Sequence, residues 1–196
     1  MTDLPPAPRF DRATWLALLL VTVAGFFIYV FNFGSPAVPF WDERYYIVDA
    51  QKYIHGEYFV DMHPPLGKLL IALGERLFGR NSSTSQFLDV TYYAEKVPEG
   101  FSFIGFRLFP VLLAWLTAPL LFLLFLTITR RRLLAVFLSG LYLLDNALIV
   151  HLRGAMLEGP LVFFTVVLLL AFVWQVDTAP GERRRCRALA AMMGLA

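Results

Sequence analysis

The stretch PFWDERYYIVDAQKYIHGEYFVDMHPPLGK, residues 39–68, decides how this chain is read, because it sets charged residues directly beside a segment built to cross lipid. Immediately before it, ATWLALLLVTVAGFFIYVFNF (13–33) is almost wholly apolar. At 1.5 Å per residue, about 20 such residues cover the roughly 30 Å of bilayer hydrocarbon. Gly34, Ser35, Pro36 and Pro39 end that helix, and Phe40 and Trp41 supply rings of the kind that collect where hydrocarbon meets headgroups. The adjacent carboxylates Asp42 and Glu43 therefore fall at the membrane surface. Tyr46, Ala50 and Tyr53 then recur at helical spacing over 42–54, and His55-Gly56 stops the run. Pro64-Pro65 opens a second short helix, since proline is tolerated in a first turn. In it Leu66, Leu69, Leu70, Leu73 and Leu77 form one stripe, with Lys68, Glu75 and Arg76 off it. Both helices are too short and too charged to span, and both are expected to lie along the interface.

The composition agrees with a membrane protein: 58% of the 196 residues are hydrophobic and only 16% charged. The net charge of +2 is small, but the arginines gather at Arg9 and Arg12, at 130–132, and at 183–185 with Arg187, each group beside a long apolar run. That is the pattern of cytoplasmic flanks. Nucleic acid is excluded as a partner, because no interleaved aromatics and no soluble scaffold accompany these arginines. Cys186 is the single cysteine, so no internal disulfide forms.

In order, 1–12 reads as a cytoplasmic tail and 13–196 as one all-α, polytopic membrane helix bundle. Its spans are expected at about 13–33, 103–129, 133–150 and 156–174, with a fifth beginning at 188, where too few residues remain to cross and a longer natural product is expected. The first span is too long for a signal-peptide core and is followed by no small-x-small cleavage site. Residues 34–102 form an external loop that contains both interfacial helices, and the N-terminus is cytoplasmic. In that loop Asn81-Ser82-Ser83 fits a glycosylation sequon, a match common by chance. Asp42, Glu43, His63, Lys68, Arg107, Asp145, Arg153 and Glu158 all map to the outer side, where acids and bases together suggest a polar cavity.

WDERYY after the first span, GEYFVDMHPPLGKLLIALG, FRLFP at the head of the second span, and LDNALIVHLRGAMLEGPLVFF across the third and fourth together resemble the protein O-mannosyltransferase family. The resemblance covers about 39–164 and implies the N-terminal part of a GT-C-type glycosyltransferase. Such an enzyme uses a polyprenyl-phosphate sugar donor and a protein or lipid acceptor, and it works without a metal or another cofactor. The lipid A aminoarabinose transferases share the general layout and are the nearest rival. Glu158 is a departure, because many family members carry aspartate there.

The chemistry implied fits the residue types. An acceptor hydroxyl must lose its proton as it attacks the anomeric carbon, and Asp42, matching the aspartate of the family's acidic pair, is the expected general base. Glu43 would orient the acceptor or the base. The departing phosphate needs cationic partners, and Arg107 is the first candidate, followed by His63 and then Lys68. Each has a plainer alternative: His63 as the N-terminal cap of the second interfacial helix, Asp145 with Asn146 as a helix terminus, Arg153 paired with Glu158 across a turn. A hard cation held by Asp42, Glu43, Asp61 and His63 is the sharper rival, unsupported by any compact ligand motif. The expected protein is a multi-pass enzyme, in the plasma membrane if bacterial, with its site facing outward and a dimer left open. The competing readings are an aminoarabinose-type lipid glycosyltransferase and a non-catalytic fragment or partner subunit. A transporter would need polar residues lining a path through the bilayer, and these spans lack them.

Overall fold

The computed structural model describes residues 10–82, 97–176, 188–191 and 194, and is all-helical over them. Most of the expected tail, loop residues 83–96 with Ser83, the arginines at 183–187 with Cys186, and the end of the fifth apolar segment lie outside the described residues. In order the helices are α1 Arg12–Gly25, α2 Glu43–His55, α3 Pro65–Phe78, α4 Ile104–Thr129, α5 Arg132–Leu144, α6 Asn146–Leu152 and α7 Glu158–Val176. A π-helical turn, Phe26–Val30, extends α1. Among the described residues three helices are long and apolar enough to cross a membrane: Arg12–Val30, Ile104–Thr129 and Glu158–Val176. The chain is therefore an integral, multi-pass membrane protein.

The crossing expected over 133–150 is not one helix. It is α5 and α6, bent by 62° at Asp145. The cause is local: the Asp145 carboxylate accepts from the amide of Leu148 at 2.9 Å and so starts a new helix where the old one would have continued. The helix-terminus reading of Asp145 is thus the one observed.

The described residues fall into two compact units, one within Tyr29–Ala114 and Ile149–Leu161, the other within Met1–Ile28, Trp115–Leu148 and Val162–Ala196. In the second, Asp11 caps α1 by accepting from Thr14 N at 2.7 Å. α1 buries Thr14, Ala17, Val21 and Gly25 at helical spacing and packs on α5, small residues allowing close approach. Its other side, with Trp15, Leu16, Leu19, Leu20 and Val23, is exposed, as a lipid-facing surface requires. Leu124 of α4 packs with Val166 and Leu170 of α7.

The other unit positions the candidate site. Its core joins Tyr46, Ile47, Val48 and Ala50 of α2, Ile71 and Ala72 of α3, Phe101, Phe103 and Phe106 before and within α4, and Ala155 and Met156. α2 ends at Gly56, whose φ of 72° is the left-handed conformation that glycine takes without strain. α3 turns its leucine stripe outward. Lys68, Ile71, Ala72 and Gly74 are buried, while Leu66, Leu69, Leu73 and Leu77 stand 41–58% exposed. Glycine at 74 is required by the crossing with α4, because a Cβ there would strike the Gly105 carbonyl oxygen.

Candidate active site

Glu43 and Arg107 form a buried clasp. Glu43 is 0% exposed and Arg107 3%. Arg107 donates from Nε to Glu43 Oε1 at 2.6 Å and from Nη2 to Oε2 at 2.8 Å, the bidentate geometry that suits a guanidinium and a carboxylate. Its remaining N–H groups reach the carbonyl oxygens of Phe33 (3.3 Å), Pro36 (2.9 Å) and Val38 (2.8 Å). All five donors are thereby committed. Glu43 also accepts the amides of Phe40 at 3.0 Å and Ala155 at 2.7 Å. One ion pair thus ties the loop 33–40, α2, α4 and the turn before α7 together. A buried ion pair is tolerated in the interior when its remaining donors and acceptors are satisfied in this way.

Asp42, one residue earlier, has the opposite environment. It is exposed. It holds the N-cap position of α2 but makes no side-chain capping bond, so its carboxylate is not taken up by the helix. Trp41 before it has φ of 51°, an uncommon conformation for a bulky residue. The surroundings hold it there: the Phe40 and Trp41 rings lie 5.7 and 6.2 Å from the His151 ring, and Glu43 grips the Phe40 amide. Backbone strain of this kind persists where neighbouring structure over-determines it, and it gathers at active sites.

Lys68 is buried as well. Its ammonium lies 2.7 Å from Asp49 Oδ2 and 2.6 Å from both oxygens of Asp61, with the Tyr46 ring 5.6 Å away. Burial alone would lower the Lys68 pKa, but the two carboxylates outweigh it and hold it above the ordinary lysine value. For Asp61, burial pulls the other way too, and the bonds from Lys68 and the His63 amide keep it below the ordinary value. His63 is half-exposed, with Nδ1 3.6 Å from Asp61 Oδ1, and its ring meets Tyr46 edge-on at 6.0 Å. It does not cap α3; Pro64 occupies that position without a side-chain bond.

The sequence-expected residues are therefore brought into one unit but given different tasks. Arg107, expected to meet a donor phosphate, has every N–H engaged by protein, and Glu43, expected to orient a substrate, is sealed from solvent. Lys68 ties α2 to the loop carrying His63. Asp42 and His63 are the members of the set that face solvent. The cation-holding alternative loses Glu43 to the clasp and Asp61 to Lys68. Among the described residues no three or more His, Cys, Asp or Glu side chains gather as a metal would need.

Beside the clasp lies a cleft of about 420 Å³, lined by residues that include Pro36, Phe40, Arg107, Ile149, Val150 and Arg153. Arg153 Nη2 donates to the carbonyl oxygens of Phe31 and Asn32, each at 3.0 Å. Burial first, and then the neighbouring Arg107 charge, lower the Arg153 pKa. At the far end of α3, the sequon residue Asn81 is already bonded: its Nδ2 donates to Glu75 Oε1 and to Ser102 O, each at 2.8 Å.

The family model described as dolichyl-phosphate-mannose-protein mannosyltransferase matches residues 19–196. The chain belongs to this family. Relatives of this mannosyltransferase-family chain include dolichyl-phosphate-mannose–protein mannosyltransferase 4 of Schizosaccharomyces pombe, 31% identical over 81% of this chain and 20% of the relative. The polyprenol-phosphate-mannose–protein mannosyltransferase of Mycolicibacterium smegmatis is 37% identical over 39% of this chain and 17% of the relative. Among solved structures, the Saccharomyces cerevisiae protein O-mannosyltransferase Pmt1–Pmt2 complex bound to its sugar donor matches with a TM-score of 0.80 and 23% identity. That match covers 95% of this chain and 25% of the other. The fold of this mannosyltransferase-family chain is thus that of the N-terminal part of a GT-C glycosyltransferase. The chain spans about a fifth of the length of the curated relatives it matches.

Sequence reasoning missed several partners that build this mannosyltransferase-family site: the Ala155 amide, the Asp49–Lys68–Asp61 bridge and Tyr46. Asp49, Asp61 and Lys68 carried a faint signal, since opposite charges recur along 49–68 on otherwise apolar faces. The Ala155 amide carried none, because a backbone donor leaves no trace in residue type.

Proposed function

We propose that the chain is part of an enzyme that moves a sugar, mannose on the family's pattern, from a polyprenyl phosphate to a Ser or Thr hydroxyl of a protein at the non-cytoplasmic face of the membrane. The observation that carries this reading is the split acidic pair: a solvent-facing, uncapped Asp42 held beside a buried and fully bonded Glu43. Asp42 takes the acceptor's proton as the acceptor oxygen attacks the anomeric carbon. The bond from that carbon to the phosphate oxygen breaks, and polyprenyl phosphate leaves as the anion. A single displacement of this kind inverts the anomeric centre. Glu43, Arg107 and Lys68 serve the substrate indirectly, by fixing the backbone that presents Asp42 and His63. His63, half-exposed, is the one of the expected cationic ligands placed to touch the departing phosphate.

The same reading places the chain in the membrane. α2 and α3 lie along the outer interface, and the exposed leucines of α3 dip into lipid, which accounts for a helix that buries its lysine and bares its apolar stripe. α4 carries Arg130, Arg131 and Arg132 to the cytoplasmic side, and α5 with α6 makes a fourth crossing back to the outer one.

The test uses the full chain with radiolabelled polyprenyl-phosphate-mannose and a Ser/Thr-rich peptide. Wild type should label the peptide, and Asp42→Asn should lower transfer by roughly 10²–10⁴-fold, the usual worth of a positioned base. Transfer that survives Asp42→Asn removes the base assignment. Labelling of a lipid acceptor in place of the peptide moves the protein to the aminoarabinose-type class.

A further inference from the structure

The C-terminal ends of α2 and α3 border a second cleft, of about 340 Å³, whose lining includes Gln51 and His55 of α2, Glu75 and Arg76 of α3, and Ser82. That volume is enough to seat a small polar headgroup. Gln51 and His55 lie about 14–20 Å beyond Asp42 along α2, at 1.5 Å per residue. A ligand held here is therefore remote from the expected base.

Two cations stand at this end of α3 without a protein partner. Arg76, in the last turn, and Arg80, just past the helix, are both exposed, and among the described residues neither enters a hydrogen bond or an ion pair. Lys52, Lys68 and Arg107 of the same unit are all paired with carboxylates. A free surface arginine is ordinary on its own, but these two adjoin bare apolar surface. Arg76 comes one turn after Leu73 and two after Leu69, so it borders the exposed leucine arc, which ends at Leu77 and Phe78. Glu75 is the acid in the cleft lining. Its Oε1 accepts from Asn81, its Oε2 is buried and burial raises its pKa, so little of its charge meets an incoming anion.

An apolar stripe that ends in two unpaired guanidiniums beside an open polar cleft complements an amphiphile with an anionic head. A soluble anion would leave the leucines bare, and an uncharged lipid would leave the arginines unpaired. The sugar donor's carrier is an anionic lipid too, but a sugar on it would lie too far from Asp42 to react.

We propose that Arg76 and Arg80 hold the phosphate of an anionic membrane phospholipid, its headgroup entering the cleft between the ends of α2 and α3 and its chains lying along Leu69, Leu73 and Leu77. The site rests on the reading that α3 lies in the outer interface, and it fixes the end of α3 to the bilayer rather than serving the transfer step.

The test takes the full chain from nanodiscs of phosphatidylcholine mixed equally with phosphatidylglycerol and counts the lipids it retains by native mass spectrometry, with titrations of each lipid for affinity. Wild type should retain phosphatidylglycerol in preference to phosphatidylcholine. Each arginine at a membrane surface is worth roughly a fivefold change in affinity for anionic lipid, so Arg76→Gln with Arg80→Gln should bind phosphatidylglycerol about 25-fold more weakly. Its phosphatidylcholine binding and its melting temperature in pure phosphatidylcholine should match wild type, because neither side chain is bonded to the protein. Replacing both arginines by lysine should restore the preference. Unchanged retention by the double glutamine variant overturns the site, as does displacement of phosphatidylglycerol by inorganic phosphate or by polyprenyl phosphate at equal concentration. A nitroxide on Leu73→Cys, in a Cys186→Ser background, separates the two readings. A label reached by aqueous relaxation agents removes α3 from the interface and the site with it, whereas a lipid-buried label with no phosphatidylglycerol preference removes the site alone.

Discussion

Arg107→Lys separates a clasp from a phosphate ligand. The substitution keeps the charge and removes the fork. Arg107 reaches both oxygens of Glu43 and the carbonyl oxygens of Phe33, Pro36 and Val38 from three nitrogens. A lysine gathers its three donors on one atom and cannot serve acceptors spread over that arc. Breaking a buried ion pair costs about 3–5 kcal/mol. Because lysine retains the charge, the lower end applies, about 3 kcal/mol. For a chain of 196 residues, each kcal/mol moves the melting temperature by roughly 2–4 °C, which gives a fall of about 6–12 °C. The assay is thermal unfolding in detergent followed by tryptophan fluorescence, with the donor KM measured on the same preparations. The clasp predicts the fall in melting temperature and a loss of kcat as Asp42 drifts. A phosphate ligand predicts something else: lysine binds phosphate well as a point charge, so stability would hold and only the donor KM would rise. That second outcome refutes the clasp. A double-mutant cycle with Glu43→Gln should give a coupling of roughly 0.5–3 kcal/mol, as directly bonded residues do.

Lys68→Met tests the bridge to Asp49 and Asp61. Asp61 is held below its ordinary value and Lys68 above its own, so the bridge is complete between the two ordinary values; it weakens as pH falls through the lowered carboxylate or rises through the raised lysine. Melting curves should show the variant less stable near neutrality and converging with wild type at both extremes, and a gap independent of pH counts against the bridge. Glu75 is pushed up by burial against the bonds from Asn81, so its contribution is full below the ordinary glutamate value and is lost as pH rises through the raised one. Glu75→Gln keeps an acceptor for Asn81 and removes the titration; the variant should gain on wild type between acid and neutral pH, and a constant difference refutes the reading.

The spanning helices were legible because hydropathy accumulates over a contiguous window: 13–33, 103–129 and 156–174 were expected, and Arg12–Val30, Ile104–Thr129 and Glu158–Val176 are found. α2 and α3 were legible for a related reason, since capping glycine and proline punctuate them locally. Which face of α3 meets protein is not written in its periodicity. Periodicity reveals which residues share a face, but it does not say whether that face meets protein or lipid, and beside a membrane the apolar face is the one that points outward. The break at Asp145 escaped because one side-chain bond to the Leu148 amide overrides an apolar run. The buried partners of Glu43 were not legible, because they lie far away in sequence: Arg107 is 64 residues from Glu43, and Ala155 is 112.

The acidic pair shows why composition alone misassigns roles. Neighbours on a helix point about 100° apart, so one carboxylate can enter the core while the next stays wet. Which one enters follows from length and supply of donors. Glu43 meets four donors, two on Arg107 and the amides of Phe40 and Ala155. An aspartate at that position, one methylene shorter, could not span them from the same backbone. Asp42 sits where the helix has not yet formed, behind a Trp41 held at positive φ, and finds no capping bond. Arg107 neutralises Glu43 inside, so the charge that reaches solvent from the pair is that of Asp42. The two acids are therefore not interchangeable: exchanging them, by Asp42→Glu together with Glu43→Asp, would leave the buried donors short of an acceptor and move the base one bond further out.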